Sequence, residues 1–545
     1  MSTDTPTTTE PRRNGGWSLL RTIAGYGVDT IFGIPGTHNL ELYRHLGELG
    51  IRPVTSRHEQ GAGYAADAWA QRRSAAGEVM PGVVITTSGP GLLNALSAGG
   101  TAFAESRPMI IVSPGVALGD EFADRGALHE TKDQSAAAAA ILLWSRRVRS
   151  DVEAVEAVHD AFALFRSGRP RPVHIEIPLD ILEGDATASD ADTAPREAPA
   201  TPVADEAALA EAARILSAAE RPAIVAGGGA VRIGQPLTDL VDRLGAVVAT
   251  SLNGKGAVAE SHPRSLGSEL RLAACAAELN ASDALLVVGS KLGEAELWGN
   301  EIRPGGPVIR IDIDDAQLDK NLAGDVHLHG EAGAVVAALL ERIEREPAAE
   351  RDLSAVREAQ LAEARAFAPR EMAAAEAIAE GIPAGAIVTG DSSQITYYGI
   401  TSAVRQDAPA SMPYMPAYAT LGYGLPAAIG AKVASPELPV VSVLGDGALM
   451  FSVQELMTAV EQGLDLAVVV VDNGGYGEIE ANEADRGIAP VGVRLRQPDW
   501  AALADAFGGS GRRVASRDEV AGAVADAIAS PGVTLVHIPL DLFGD

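Results

Sequence analysis

The sequence predicts an α/β protein of three domains, each a parallel β-sheet covered by helices. Three observations carry that prediction. Short β-branched runs alternate with helical patterns along the whole chain: "PGVVITTSG" and "PMIIVSPG" early, "RPAIVAGGG", "ALLVVGS" and "PVIRIDID" in the middle, "LPVVSVLGDG", "DLAVVVVDN" and "GVTLVHIPL" late. Runs that are apolar on both faces suit strands buried on both sides by crossover helices. Composition shifts at two stretches, Glu183 to Glu206 and Glu344 to Glu371, and these cut the chain into three comparable segments. Finally, 545 residues with 47% hydrophobic content can bury several cores, at roughly 100–200 residues per domain.

Taken in order, residues 1–14 are polar and read as a disordered tail, with 15–184 as the first domain. A linker over 185–203 leads to a second domain over 204–345, and a helical connection over 346–371 leads to a third over 372–545. A net charge of −30 repels polyphosphate backbones, and no basic stripe interrupts it, so nucleic acid is not expected as a partner. The single cysteine, Cys275, excludes an intrachain disulfide framework and reads as a small core residue. The apolar run Ala136 to Trp144 is too short to span a bilayer, so no membrane partner is expected. The start of the chain carries no apolar signal core, which makes the cytoplasm the default compartment.

The most informative stretch is "LGDGALMFSVQELMTAVEQGLDLAVVVVDNGGYG", Leu444 to Gly477. A strand over 439–444, a helical pattern through Val453, Leu456, Met457 and Val460, and a strand over Leu466 to Val471 compose a βαβ unit. Ligands of open parallel sheets bind outside the carboxyl ends of the strands, which is where Asp446 and Asn473 would emerge side by side. A carboxylate, an amide oxygen and backbone carbonyls freed by Gly474 and Gly475 are hard ligands suited to Mg²⁺ or Ca²⁺. Gly445 and Gly447 let the backbone approach closely, and the N–H groups from Ala448 onward can hold a diphosphate that shares the metal. Each motif alone also fits a plain turn. Their joint placement on one βαβ unit favours a metal-bridged diphosphate.

This pattern resembles the thiamine diphosphate motif, Gly-Asp-Gly followed after about 25 residues by Asn-Asn, with Asp472 in place of the first Asn. Further segments join the resemblance: "VDTIFGIPGTHNLELYRHL", "RPVTSRHEQGAGYAADAWAQ", "TTSGPGLLNAL", "GDSSQITYYG" and "ATLGYGLPAAIGA". Together they are similar to the acetolactate synthase and benzoylformate decarboxylase superfamily. The resemblance implies a pyrimidine-binding first domain, a Rossmann-like centre and a diphosphate-binding third domain. It also implies active sites between subunits of a homodimer at minimum, assembled as a homotetramer. It assigns the catalytic carboxylic acid to Glu59, the cofactor wedge to Leu421, cofactor contacts to Asn94 and Gln394, and the metal to Asp446, Asn473 and Gly475. Ser56 to Glu59 also fits a Ser-x-x-Glu capping box, and Leu421 also fits an ordinary core.

Within the superfamily, loss of CO₂ from a 2-oxo acid leaves a carbon that is either protonated to an aldehyde or joined to a second carbonyl compound. The flavin signature of biosynthetic acetolactate synthases is missing from Val288 to Glu301, so FAD is not expected. The adjacent histidine pair of pyruvate decarboxylases is missing too, and Ile479 stands where they carry a later glutamate. "GIPGTHN", "RHEQGAG" and "RGALHETKDQS" are most similar to the 5-guanidino-2-oxopentanoate decarboxylase branch. That resemblance places substrate contacts at Thr37, His38, Asn39, His129 and Glu130. A guanidinium in a closed pocket calls for a carboxylate, and Glu478, Glu480, Glu294 and Glu296 are candidates, although each also fits a solvated acidic surface. The alternatives are a flavin-free carboligase and, more remotely, a nucleotide-binding regulatory protein suggested by "AGGGAVRIGQP".

Overall fold

The computed structural model describes residues 12–345 and 351–544. Most of the tail expected over 1–14, and the first residues of the connection expected over 346–371, lie outside them. Residues 12–14 belong to the fold, which corrects the boundary of the tail. Asn14 is buried, caps the helix Gly15–Gly25 by accepting the Trp17 N–H, and bridges to Asp185.

Among the described residues, three parallel sheets follow the chain. The first holds β1 (Thr30–Gly33), β2 (Arg52–Thr55), β3 (Gly82–Ile85), β4 (Met109–Gly115), β5 (Trp144–Arg147) and β6 (Val173–Pro178), in the order β2-β1-β3-β4-β6-β5. The second holds β7 (Pro222–Ala226), β8 (Val247–Thr250), β9 (Ala284–Val288), β10 (Val308–Asp312) and β11 (Val326–His329), ordered β11-β10-β9-β7-β8. In the third, β12 (Ile387–Gly390), β13 (Val440–Gly445), β14 (Leu466–Asp472), β15 (Ser510–Arg513) and β16 (Val533–Pro539) run β12-β13-β14-β16-β15. The central strands of each sheet are buried along their apolar runs, with only the terminal Asp472 of β14 partly open.

The linker segment is pinned to the first domain: Thr187 and Ala188 donate their N–H groups to Asp151, and Arg196 donates its own to the Tyr26 hydroxyl. The connection after residue 350 is helical, over Ser354–Phe367 and then Pro369–Glu380. The first and third domains share one apolar cluster, in which Trp69 and Leu92 join Leu425, Leu456 and Trp500. The central domain has separate clusters on the two faces of its sheet.

Small residues make the shared contact possible. The helix Glu59–Ala75 crosses the helix Gly424–Ala434 so closely that a Cβ on Gly430 would lie 1.9 Å from the Ala65 carbonyl oxygen. Arg107 ties the three domains together: its buried guanidinium donates to Asp67 (2.6 Å), to Asn253 of the central domain (2.7 Å), and to Tyr423 (3.2 Å) and the Tyr414 carbonyl of the third domain. The glycine-rich turn at Gly227–Gly229 serves close packing within the central domain, where a Cβ on Gly227 would lie 2.3 Å from the Gly289 carbonyl oxygen. No helix among the described residues is long and apolar enough to cross a membrane.

Candidate active site

β13 and β14 are neighbours, with Gly445 paired to Val471, so the residues that follow them leave the sheet together. Asp446 is buried, and its Oδ1 lies 3.5 Å from the Asn473 backbone nitrogen. Its Oδ2 is buried without any hydrogen-bond partner. Burial, reinforced by the nearby Asp472 charge, pushes the Asp446 carboxyl up to about 6. A carboxylate held in that state is short of a cation. Among the described residues no three His, Cys, Asp or Glu side chains converge on a metal position. The set available here is therefore one carboxylate, the Asn473 amide and backbone such as Gly475, which suits a hard cation that takes its other ligands from a bound anion.

These groups open onto a cavity of about 240 Å³ lined by Gln394, Leu421, Gly447, Ala448, Asn473 and Glu478, among others. The floor is glycine because the backbone is crowded: a Cβ on Gly447 would meet the Tyr476 ring at 2.9 Å, and one on Gly477 would meet the Gln394 and Asn473 amides at 2.6 Å. Gln394 bridges the two sides of the cavity. Its Oε1 accepts from Asn473 Nδ2 (3.2 Å), while its Nε2 donates to Glu478 Oε2 (3.2 Å).

Glu59 is the first residue of its helix and is buried. Asn94 Nδ2 donates to Glu59 Oε2 at 3.0 Å. The capping box does not form. His58 is the N-cap and accepts the Gln60 N–H on its ring, which leaves Glu59 at the head of the helix rather than reaching back to it. The preceding loop is held by Glu455 of the third domain, whose carboxylate accepts the N–H groups of Arg57 and His58 at 3.0–3.2 Å. Gln60 Nε2 lies 3.4 Å from the Leu421 carbonyl oxygen.

His38 and His129, from two loops, meet edge to face with ring centroids 5.2 Å apart. His38 Nδ1 is 2.6 Å from Ser88 Oγ, and His129 Nδ1 is 3.3 Å from Thr87 Oγ1. Burial, aided by His129, lowers the His38 pKa and favours its neutral ring.

Other candidates are occupied elsewhere. Asn39 shapes its own turn, accepting from Gly36 N and donating to the Ile34 carbonyl, and Thr37 is exposed. Glu130 accepts the N–H groups of Arg125, Gly126 and Ala127 and so braces its own loop. Glu480 is paired with Arg494 at 2.6 Å. Glu294 and Glu296 lie outside the cavity lining.

Tyr397 and Tyr398, which no motif singled out, are part of the cavity network. Both phenols donate to Glu478 Oε2, at 3.2 and 2.7 Å. A tyrosine doublet in a chain that is 4% aromatic was the one signal available for them. Glu455 carried no signal beyond its place in a helical pattern.

A parallel-sheet domain presenting a carboxylate, an amide and a glycine floor at two adjoining strand ends, coupled to an acid-bearing helix of a second such domain, defines a thiamine diphosphate-dependent enzyme. The chain belongs to the thiamine pyrophosphate enzyme family. It matches that family's N-terminal TPP binding domain over residues 13–137, its central domain over 209–339 and its C-terminal TPP binding domain over 394–538. It is 39% identical to the probable 2-ketoarginine decarboxylase AruI of Pseudomonas aeruginosa, over 96% of this chain and 93% of that protein. It is 30% identical to a probable acetolactate synthase large subunit of Methanocaldococcus jannaschii, over 97% and 92% of the two chains. To the acetolactate synthase isozyme 1 large subunit of Escherichia coli it is 28% identical, over 99% and 96%.

Proposed function

We propose that the protein is a Mg²⁺- and thiamine diphosphate-dependent decarboxylase that converts 5-guanidino-2-oxopentanoate to the corresponding aldehyde and CO₂ in the cytoplasm. The observation that carries this reading is the orphaned, buried Asp446 Oδ2 beside Asn473 at the mouth of a glycine-floored cavity. Asp446, Asn473 and the Gly475 backbone would hold the cation, and the N–H groups around Gly445, Gly447 and Ala448 the diphosphate. When bound, the thiazolium supplies the electron sink for departure of CO₂. Glu59, oriented by Asn94, would hold and return the proton at the pyrimidine nitrogen, and Leu421 would set the bend of the cofactor. The neutral His38 ring and His129 offer polar hydrogen for the reacting oxo acid.

The substrate rests on the name of the Pseudomonas relative. A second copy of the chain is supported by apolar residues left open beside both halves of the site, and assembly as a tetramer rests on the family resemblance alone. Leu93, next to Asn94, is 46% exposed, and Met450 and Phe451, just past Ala448, are 49% and 46% exposed. A partner would cover them. The acetolactate synthase relatives support a second reading, carboligation of two oxo compounds without FAD.

The test is to incubate the protein with thiamine diphosphate, Mg²⁺ and either 5-guanidino-2-oxopentanoate or pyruvate, measuring CO₂ and identifying the carbon product by mass spectrometry. Guanidino aldehyde supports the decarboxylase. Acetolactate from pyruvate supports the carboligase, and CO₂ from neither substrate overturns both.

A further inference from the structure

The cavity that contains the diphosphate anchors also contains an acid with no cation of its own. Glu478 is the second residue of the helix Gly477–Asp485 and is half-buried. Its Oε2 accepts from Tyr398 (2.7 Å), Tyr397 (3.2 Å) and Gln394 (3.2 Å), and its Oε1 from Asn482 Nδ2 (3.3 Å). All four donors are neutral. Among the described residues Glu478 forms no ion pair, whereas Glu480, two positions on, is neutralised by Arg494. Contacted only by neutral donors, this half-buried carboxylate has no charge partner, and a cation entering the cavity would supply one.

The backbone is arranged to hold that acid still. Residues Ile395–Ile400 form a π-helix, a rare wide turn that recurs at functional sites. Successive side chains of an α-helix diverge by about 100°, yet here the consecutive phenols converge on one oxygen, their ring centroids 4.5 Å apart. Burial, followed by the Glu478 charge, raises the Tyr397 phenol above its usual range; burial, followed by the hydrogen bond to Glu478, raises Tyr398, so both keep their protons and donate. Trp298 of the central domain adds an aromatic wall, 6.0 Å from the Tyr397 ring and 5.5 Å from the Tyr398 ring. That wall already stacks one guanidinium, Arg271 at 5.2 Å, which donates to Ser402 Oγ (2.8 Å) and the Tyr398 carbonyl oxygen (3.3 Å) and pairs with Glu269 at 3.9 Å, not with Glu478. Guanidinium groups pair with carboxylates and stack on such rings.

We propose that Glu478 receives the cationic end of the substrate, and that Tyr397 and Tyr398 are positioning residues that preset its carboxylate for a guanidinium. The proposal rests on the decarboxylase reading for its substrate. Gln394, bonded to both Asn473 and Glu478, ties this subsite to the end of the cavity where Asp446 and Asn473 emerge.

The test uses the holoenzyme with 5-guanidino-2-oxopentanoate, with 2-oxohexanoate as an uncharged chain, and with 4-guanidinobutanoate as a ligand that cannot be decarboxylated. Glu478→Gln is expected to raise KM for the guanidino acid about tenfold to a hundredfold, the range of a lost charge-assisted hydrogen bond. Its KM for 2-oxohexanoate should stay unchanged or fall. Tyr398→Phe should raise the guanidino KM by a smaller factor while retaining kcat for 2-oxohexanoate, a split that general destabilisation would not produce. Titration with thiamine diphosphate, followed by tryptophan fluorescence, verifies that each variant is folded and loaded. Equal loss of kcat on both substrates with KM unchanged would overturn the subsite, as would wild type binding 4-guanidinobutanoate no better than Glu478→Gln. If wild type binds that ligand in a Glu478-dependent manner yet releases no CO₂ from the guanidino acid, the decarboxylase reading fails and the cation subsite stands.

Discussion

The carboxylate of Glu455, in the third domain, accepts the backbone N–H groups of Arg57 and His58 and so holds the loop that delivers Glu59 from the first. Thr458 Oγ1 donates to its Oε2 at 2.6 Å. Replacing Glu455 by Ala would leave two N–H groups without their acceptor, at a cost of about 1–3 kcal/mol. The expected outcome is a lower unfolding midpoint and turnover reduced well beyond that of Glu455→Gln, which keeps one acceptor oxygen. Denaturant titration and steady-state kinetics on both variants check it.

Glu59→Gln keeps the hydrogen-bonding shape beside Asn94 but cannot give up a proton. Cofactor binding should survive, while turnover falls by about 10²–10⁴, the range for a general acid-base group. Full activity in that variant would remove Glu59 from the chemistry.

Asp446 trades stability for binding. In the metal-free protein its unpartnered oxygen is a liability, so Asp446→Ala should raise the thermal midpoint of the cofactor-free chain. The same change should abolish Mg²⁺-dependent binding of thiamine diphosphate. Calorimetry with and without Mg²⁺ measures both effects.

His174 sets an acid limit on stability. Its ring lies buried between Ser113 Oγ and Ser145 Oγ, each at 2.7 Å, and burial pushes its pKa down to about 3. The native ring is therefore neutral while the unfolded one takes a proton near 6.5. Its contribution is whole above about pH 6.5 and is lost as pH falls toward 3, at about 1.4 kcal/mol per unit. Between pH 7.5 and 5.5, wild type should lose about 1.4 kcal/mol more than His174→Gln in denaturant unfolding.

Gly430→Ala forces a Cβ to within 1.9 Å of the Ala65 carbonyl oxygen, backbone that cannot swing aside. Overpacking of this kind costs about 1–3 kcal/mol. Gly522→Ala, in the helix Val520–Ala529 with open space around its Cβ, should instead gain about 0.5–1 kcal/mol. Thermal unfolding of the two variants should move in opposite directions.

Local pattern carried the fold class and the cofactor class. Strand periods and the spacing of Gly-Asp-Gly to Asp-Asn-Gly-Gly depend on neighbours along the chain, so β13, β14 and the adjacency of Asp446 and Asn473 at their ends were legible in the sequence. The capping box that Ser56 to Glu59 also fitted was the alternative reading, and the backbone sets it aside, because His58 caps the helix that starts at Glu59. Four acids were equal candidates for a cation, and the fold separated them by supplying Arg494 to Glu480, leaving Glu294 and Glu296 outside the cavity and surrounding Glu478 with neutral donors.

What the sequence determined by itself was the repertoire: three parallel α/β domains, a carboxylate and an amide at two adjoining strand ends and an acid heading a small-residue helix. The tertiary structure alone decided the pairings. His38 met His129, Glu455 met the Glu59 loop, and Tyr397 met Glu478, because each pairing joins segments far apart in the chain whose approach is set by packing between helices and domains. Such contacts leave no period or spacing in the sequence, since hydrogen-bond geometry depends on distance in space and not on separation along the backbone.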